Sequence, residues 1–125
     1  MTSRDVMLLA PECRTNYLKF SAAMLKAGID YILVCTYRSP EEQLKLLALG
    51  NTRAKPGKSK HNRVDAKGKP ASYAFDIVIM IHGKPEWSGT HPLWREVGKI
   101  GKACGMVWGG DFRSLKDWGH FEMKE

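Results

Sequence analysis

The sequence predicts an α+β fold: a single domain over residues 1–125 with helices packed against a small, mostly antiparallel sheet. Three observations carry that expectation. Two short runs, YILVCTY (Tyr31 to Tyr37) and YAFDIVIM (Tyr73 to Met80), have the β-branched and aromatic make-up of core strands. Segments of helical spacing with clear end signals lie around them. The resulting order is helix, strand, helix, loop, strand, helix, strand, strand, with no internal repeat and no linker. A chain of 125 residues is also long enough to bury a core without covalent staples.

The elements follow in chain order. Residues 12–27 put Tyr17, Leu18, Ser21, Met24 and Leu25 on overlapping faces before Gly28, the pattern of a helix and its terminator. Strand 31–37 comes next. In SPEEQLKLLALG, Ser39 is placed to cap a helix, Pro40 suits its first position, Glu42 completes a capping box and Gly50 ends it. Residues 51–71 are rich in Gly, Pro and Lys and read as a loop. Strand 73–80 precedes the turn-rich HGKPEWSGTHP. A helix from about Leu93 to Cys104 turns Trp94, Val97 and Ile100 or Gly101 inward. MVWGG is a short strand, DFRSLKD a loop and WGHFEM the final strand.

With 43% apolar and 26% charged residues, the composition is that of a globular protein. No apolar run approaches the ~20 residues of a membrane helix, so no stable membrane insertion is expected. The patch Val6 to Ala10 is too short for a secretion leader, which places the newly made protein in the cytoplasm. Three cysteines, Cys13, Cys35 and Cys104, form neither a disulfide framework nor a zinc knuckle; Cys35 and Cys104, in apolar contexts, read as small buried hydrophobes. The net charge of +7 gathers in RAKPGKSKHNRVDAKGK (Arg53 to Lys69), a solvated loop or a surface attracted to a polyanion.

The chemistry concentrates around two histidines. His82 and His91 sit in turns, whereas His61 ends the basic loop just upstream of a strand that carries Asp76 amid apolar residues. A carboxylate in such a strand needs a salt bridge or a metal. With His61 and His120 it would complete a set of two imidazoles and one acid, leaving a fourth position open as in a catalytic zinc site. Asp117, three residues before His120, would then be free to act as a general base. Asp65, four residues from His61, competes as a ligand from a mobile loop. Glu122 shares a strand face with His120 and could support that histidine or act as the base itself, but an ordinary solvent-facing acid is the preferred reading and Asp117 ranks above it.

Ser59-Lys60-His61, Ala74-Phe75-Asp76 and Asp117-Trp118-Gly119-His120 together resemble the signature of the VanY-like zinc metallopeptidases. That group includes D-Ala-D-Ala carboxypeptidases and the L-alanyl-D-glutamate endopeptidases used as phage endolysins. The resemblance implies a VanY/hedgehog-like peptidase domain, Zn2+ held by His61, Asp76 and His120, and Asp117 as catalytic base. YRSPEEQ extends it, implying Arg38 as a catalytic group, with Gln43 and Ser59 binding substrate. VWGGDF resembles a structural segment before the last motif, with Asp111 accepting backbone hydrogen bonds. The separation of His61 from Asp76, with the Asn62 to Ser72 stretch between, is longer than in typical members, and an outward bulge would accommodate it cheaply.

The resemblance further implies a monomeric endolysin whose substrate is the peptidoglycan stem peptide, held in the host cytoplasm until lysis and then acting on the cell wall. A D-Ala-D-Ala carboxypeptidase on the same scaffold is the alternative. From a different class, a basic nucleic-acid-binding module could stack bases on Trp87, Trp94, Trp108 and Trp118. No nucleic-acid motif accompanies those tryptophans and their apolar contexts favour core packing, so no nucleic acid is expected as partner.

Overall fold

The computed structural model describes residues 2–50, 54, 55 and 57–125. The remaining part of the basic loop, residues 51–53 and 56, lies outside the described residues. Helix α1 spans Pro11–Lys26, strand β1 Tyr31–Cys35, α2 Pro40–Ala48, β2 Ala74–Ile81, β3 Lys84–Glu86, α3 Leu93–Ala103, β4 Met106–Trp108 and β5 His120–Met123. The strands form one antiparallel sheet in the order β1-β2-β5-β4, with β3 paired to the far end of β2. No helix among the described residues is long and apolar enough to cross a membrane.

The core lies on one face of this sheet. Phe75 of β2 and Phe121 of β5 stack at 5.4 Å, and Phe20 of α1 closes on them at 5.3 and 5.1 Å. The buried residues of α1 are Cys13, Tyr17, Phe20 and Met24. Leu18 and Leu25, expected on the inner face, are instead 57% and 82% exposed. Spacing alone allowed either stripe, and the aromatic one fits the phenylalanine pair. Helix α3 turns Trp94, Val97, Gly98 and Gly101 inward. Because strand side chains alternate, the neighbours of Phe75 and Phe121 (Asp76 and His120) emerge on the opposite face.

Local chemistry explains the element ends. Ser39 Oγ accepts a hydrogen bond from the Glu42 amide at the start of α2, as the capping pattern predicts. His91 Nδ1 accepts from the Leu93 amide at the head of α3. The turn-rich segment after β2 holds a strand the sequence did not reveal. His82 and Gly83 adopt φ of 51° and 76°, and Ile81 pairs with Lys84 across a two-residue hairpin.

The long stretch between His61 and Asp76 leaves the body as a hairpin excursion. The Asp65 amide donates to Lys69 O at 2.8 Å, and the Ala71 amide to Arg63 O at 2.9 Å. Asp65 Oδ1 accepts from the Lys67 and Lys69 amides at 2.8 and 3.0 Å, so the carboxylate serves its own turn and is no ligand. The Tyr73 amide then donates to Lys60 O, closing the excursion at its base.

Candidate metal centre and active-site cleft

Sheet register builds the floor of the site. Asp76 of β2 pairs with His120 of β5 on one side and with Cys35 of β1 on the other. A bulge between Leu33 and Cys35 shifts the last turn of β1 and brings Cys35 into that row. His61 arrives from above, on a short 3-10 turn, Lys60–Asn62. Ser59 Oγ accepts from the His61 amide at 3.2 Å, while the Arg38 amide donates to His61 O at 3.0 Å. Asn62 Nδ2 donates to Arg38 O at 2.7 Å, fastening the turn to the chain beyond β1.

The three expected ligands meet at one oxygen. His61 Nε2 lies 3.0 Å and His120 Nδ1 2.8 Å from Asp76 Oδ1. The other nitrogen of each ring fixes its tautomer. His61 Nδ1 is 2.9 Å from the Thr36 carbonyl, which can only accept, so Nδ1 carries hydrogen. His120 Nε2 is 2.8 Å from Glu122 Oε1, to which it donates. Each ring therefore turns its remaining nitrogen on Asp76. Two nitrogen lone pairs and a carboxylate oxygen facing one another repel unless protons or a cation lie between them.

Ionisation reflects the same crowding. Burial would keep the imidazoles neutral, yet Asp76 outweighs it and raises both His61 and His120 above the usual range. Burial would likewise raise the Asp76 carboxyl, but the two imidazoles hold it well below the usual range. This donor set fits zinc, which takes imidazole nitrogen and carboxylate oxygen at about 2.0–2.2 Å. A tetrahedral ion spaces its donors by about 3.3 Å, close to the two gaps at Asp76. The two nitrogens approach that oxygen from different sides, and donor atoms within 4.8 Å of one another form two groups that share Asp76. One is Cys35, His61 and Asp76; the other is Asp76, Asp117 and His120.

Cys35 is buried, as expected, and borders His61. Its Sγ lies 3.6 Å from His61 Nδ1 and it is 1% exposed. Read along the chain, YILVC gives no hint of this, because the bulge decides which way Cys35 points. Glu122 is a partner of His120, the alternative to the preferred solvent-facing reading. It bonds His120 through Oε1 and Lys60 Nζ through Oε2 at 2.9 Å, and Lys60 also donates to Met123 O. Burial would raise the Glu122 carboxyl, but its bonds to His120 and Lys60 bring it down to about 2. The Lys60–Glu122 pair joins the turn that carries His61 to the strand that carries His120. The i,i+2 parity on β5 was a usable signal, but Lys60 was not foreseeable as the partner.

Arg38 lines the cleft with 12% of its side chain exposed, and its guanidinium contacts Asp76 Oδ2 at 3.4 Å. Its other end donates to Gln43 Oε1 at 3.0 Å. Gln43, expected to bind substrate, is 0% exposed and donates to Ala54 O at 2.9 Å, so its amide braces Arg38 and does not face the cleft. Asp111, expected to accept from backbone, pairs with Lys102 at 2.9 Å.

Asp117 stands at the cleft rim. The residue is exposed as a whole, but its carboxylate comes within 4.8 Å of the Asp76 and His120 donors. Burial of that carboxylate, then the Asp76 charge, raises its pKa. The loop is held by the Asp117 amide donating to Gly109 O at 3.0 Å. A Cβ on Gly109 would fall 2.2 Å from Asp117 O and 3.0 Å from His120 Cβ, which explains the first glycine of VWGGDF. The whole arrangement opens into a cleft of about 340 Å³ lined by Arg38, Ser59, His61, Asp76, Asp117 and His120. It provides three donors for a divalent ion, a carboxylate able to exchange a proton, and a guanidinium.

The chain is similar to known proteins. Residues 53–123 match the family described as D-alanyl-D-alanine carboxypeptidase. The chain is 32% identical over 129 residues to the peptidoglycan L-alanyl-D-glutamate endopeptidase CwlK of Bacillus subtilis (strain 168), covering 92% of this chain and 73% of that protein. Its fold is similar to the Serratia marcescens L-Ala D-Glu endopeptidase ChiX, with TM-score 0.74 and 18% identity over 99% of this chain and 89% of that one. It is also similar to the LdcB LD-carboxypeptidase, with TM-score 0.66 and 19% identity over 92% of this chain and 58% of that one.

Proposed function

The chain belongs to the M15 family of VanY-like peptidases, and from that premise we propose that it is a zinc-dependent endopeptidase cutting the L-alanyl–D-glutamate bond of peptidoglycan stem peptides. The approach of both His61 and His120 to Asp76 Oδ1, with the Asp117 carboxylate grouped beside Asp76 and His120, supports this reading. CwlK, the similar Bacillus protein, bears the name of that bond.

His61, Asp76 and His120 would hold the ion, with Asp76 common to the group that includes Cys35 and His61 and to the group that includes Asp117 and His120. Zinc, when bound, lowers the pKa of a coordinated water to near neutral and polarises the scissile carbonyl. Asp117 takes a proton from the attacking water and returns it to the leaving amine. Its raised pKa matches it to proton exchange closer to neutrality than an ordinary aspartate. Arg38 pins Asp76 through Oδ2 and presents positive charge to the oxyanion that develops as the carbonyl is attacked. Ser59 fixes the His61 turn from inside the cleft wall.

We assign the activity to host lysis by a phage endolysin acting as a monomer. The +7 charge favours approach to an anionic envelope, an attraction that salt weakens. One digest tests the reading. Purified wall incubated with the protein should yield muropeptide fragments with a new amino terminus on D-glutamate, seen by mass spectrometry. Chelator should stop this and zinc restore it. Release of D-alanine alone would make the protein a carboxypeptidase, and undiminished cutting after chelation would end the zinc mechanism.

A further inference from the structure

A second hollow of about 170 Å³ adjoins the metal centre. Asp76 and Asp117 line both hollows, so the two meet at the reacting groups. Their walls differ in chemistry. The first mixes charged side chains of both signs with the imidazoles; the second adds Lys116 to a wall of Val34, Ile77 and three indoles, Trp87, Trp94 and Trp118. Trp87, which sequence context assigned to core packing, is 63% exposed. A large exposed indole beside a catalytic cleft is not explained by the core.

The hollow is built firmly. Gly89, two residues after Trp87, packs its backbone on the Trp118 ring so closely that a Cβ there would lie 1.9 Å from two ring atoms. Trp118 is held in turn, since Trp108 Nε1 donates to Trp118 O at 2.8 Å. Trp94 contributes to the wall, and its buried indole N–H has no acceptor among the described residues. This side of the cleft therefore presents one exposed indole, Trp87, beside the fixed Trp118.

We propose that this hollow is a saccharide subsite that receives the N-acylated hexosamine to which the stem peptide is attached. The proposal rests on the endopeptidase reading. Aromatic faces accept the C–H surface of a pyranose ring, while its hydroxyl and amide groups remain free to hydrogen-bond. Geometry favours this occupant. In a stem peptide cut after its first residue, one alanyl unit and the lactoyl group separate the scissile bond from the sugar. At about 3.3–3.6 Å per residue, that is roughly 7 Å, so the sugar belongs in a hollow immediately beside Asp117.

N-acetylmuramyl-L-alanine, which lacks the scissile bond, is the binding probe. It should quench tryptophan fluorescence saturably in the wild type, and Trp87→Ala should weaken its binding by about 5- to 10-fold. Trp87→Phe, keeping a ring, should recover most of that loss. In turnover, Trp87→Ala should raise KM for a muramyl-peptide by a larger factor than for the same peptide without sugar. No saturable binding, or an equal effect of Trp87→Ala on the two substrates, would overturn the subsite; an equal effect would assign the hollow to a peptide side chain. Wild-type protein that binds the probe but cleaves neither substrate would remove the endopeptidase reading and leave the subsite standing.

Discussion

Asp76 occupies the middle of the sheet, with Cys35 and His120 as cross-strand neighbours and Arg38 against its second oxygen. Asp117 lies on an exposed loop, held through its own amide to Gly109 and its carbonyl to the His120 amide. The two aspartates are close in space yet fixed by different means. Strand register sets the position of the first, and moving it would require breaking ladder hydrogen bonds on both sides. The second can shift with its loop. That difference suits their proposed tasks, since a ligand must hold its place while a proton carrier has to reach both water and leaving group.

The largest expected effect tests this division at Asp117. Asp117→Asn should lower kcat by about 10²- to 10⁴-fold, the usual contribution of a positioned general base. Zinc content, measured by elemental analysis after dialysis, should stay at one ion per chain. The loop residue would then be a proton carrier only. Loss of zinc together with activity would make Asp117 a ligand, as its grouping with Asp76 and His120 permits, and the division between sheet and loop would fail.

A smaller effect is expected at Glu122, which belongs to the sheet half. Glu122→Gln keeps the size of the side chain but removes the charge that Lys60 and His120 share. Losing such a partner of a metal-binding histidine typically weakens metal affinity by about 10- to 100-fold. Competition against a chromophoric chelator would measure it, and excess zinc should restore turnover, unlike the case of Asp117. Unchanged affinity would mean that the His120 ring is oriented by its strand alone.

The same contrast explains what could be read from the chain. Strands β1 and β2, helices α2 and α3, and the residues His61, Asp76, Asp117 and His120 all announce themselves through local pattern or motif. Strand β3 did not, because Lys84, Pro85 and Glu86 have none of the β-branched character of a strand and pair only through the turn at His82 and Gly83. The surroundings of Cys35 and Gln43 were not legible for a related reason. A bulge in β1 decides where the thiol points, and the partners of Gln43, Arg38 and Ala54, are set by tertiary packing. On α1 two apolar stripes competed, and only the phenylalanines on the sheet decide between them.

The smallest effect belongs to the excursion between His61 and Asp76. Asp65 is its internal brace, accepting from the Lys67 and Lys69 amides on an exposed turn. Asp65→Ala should cost about 1 kcal/mol, the net worth of such bonds near solvent. For a domain of this size that lowers Tm by roughly 3–5 °C. Zinc affinity should not follow. The contacts that fix His61 are Ser59 Oγ, Thr36 O and the Arg38 amide, and all of them lie outside the excursion. Calorimetry and a zinc titration on the same variant separate the two quantities. A fall in zinc affinity alongside Tm would show that the hairpin sets the place of His61, joining the excursion to the proposed site that the sheet and the Lys60–Asn62 turn otherwise build.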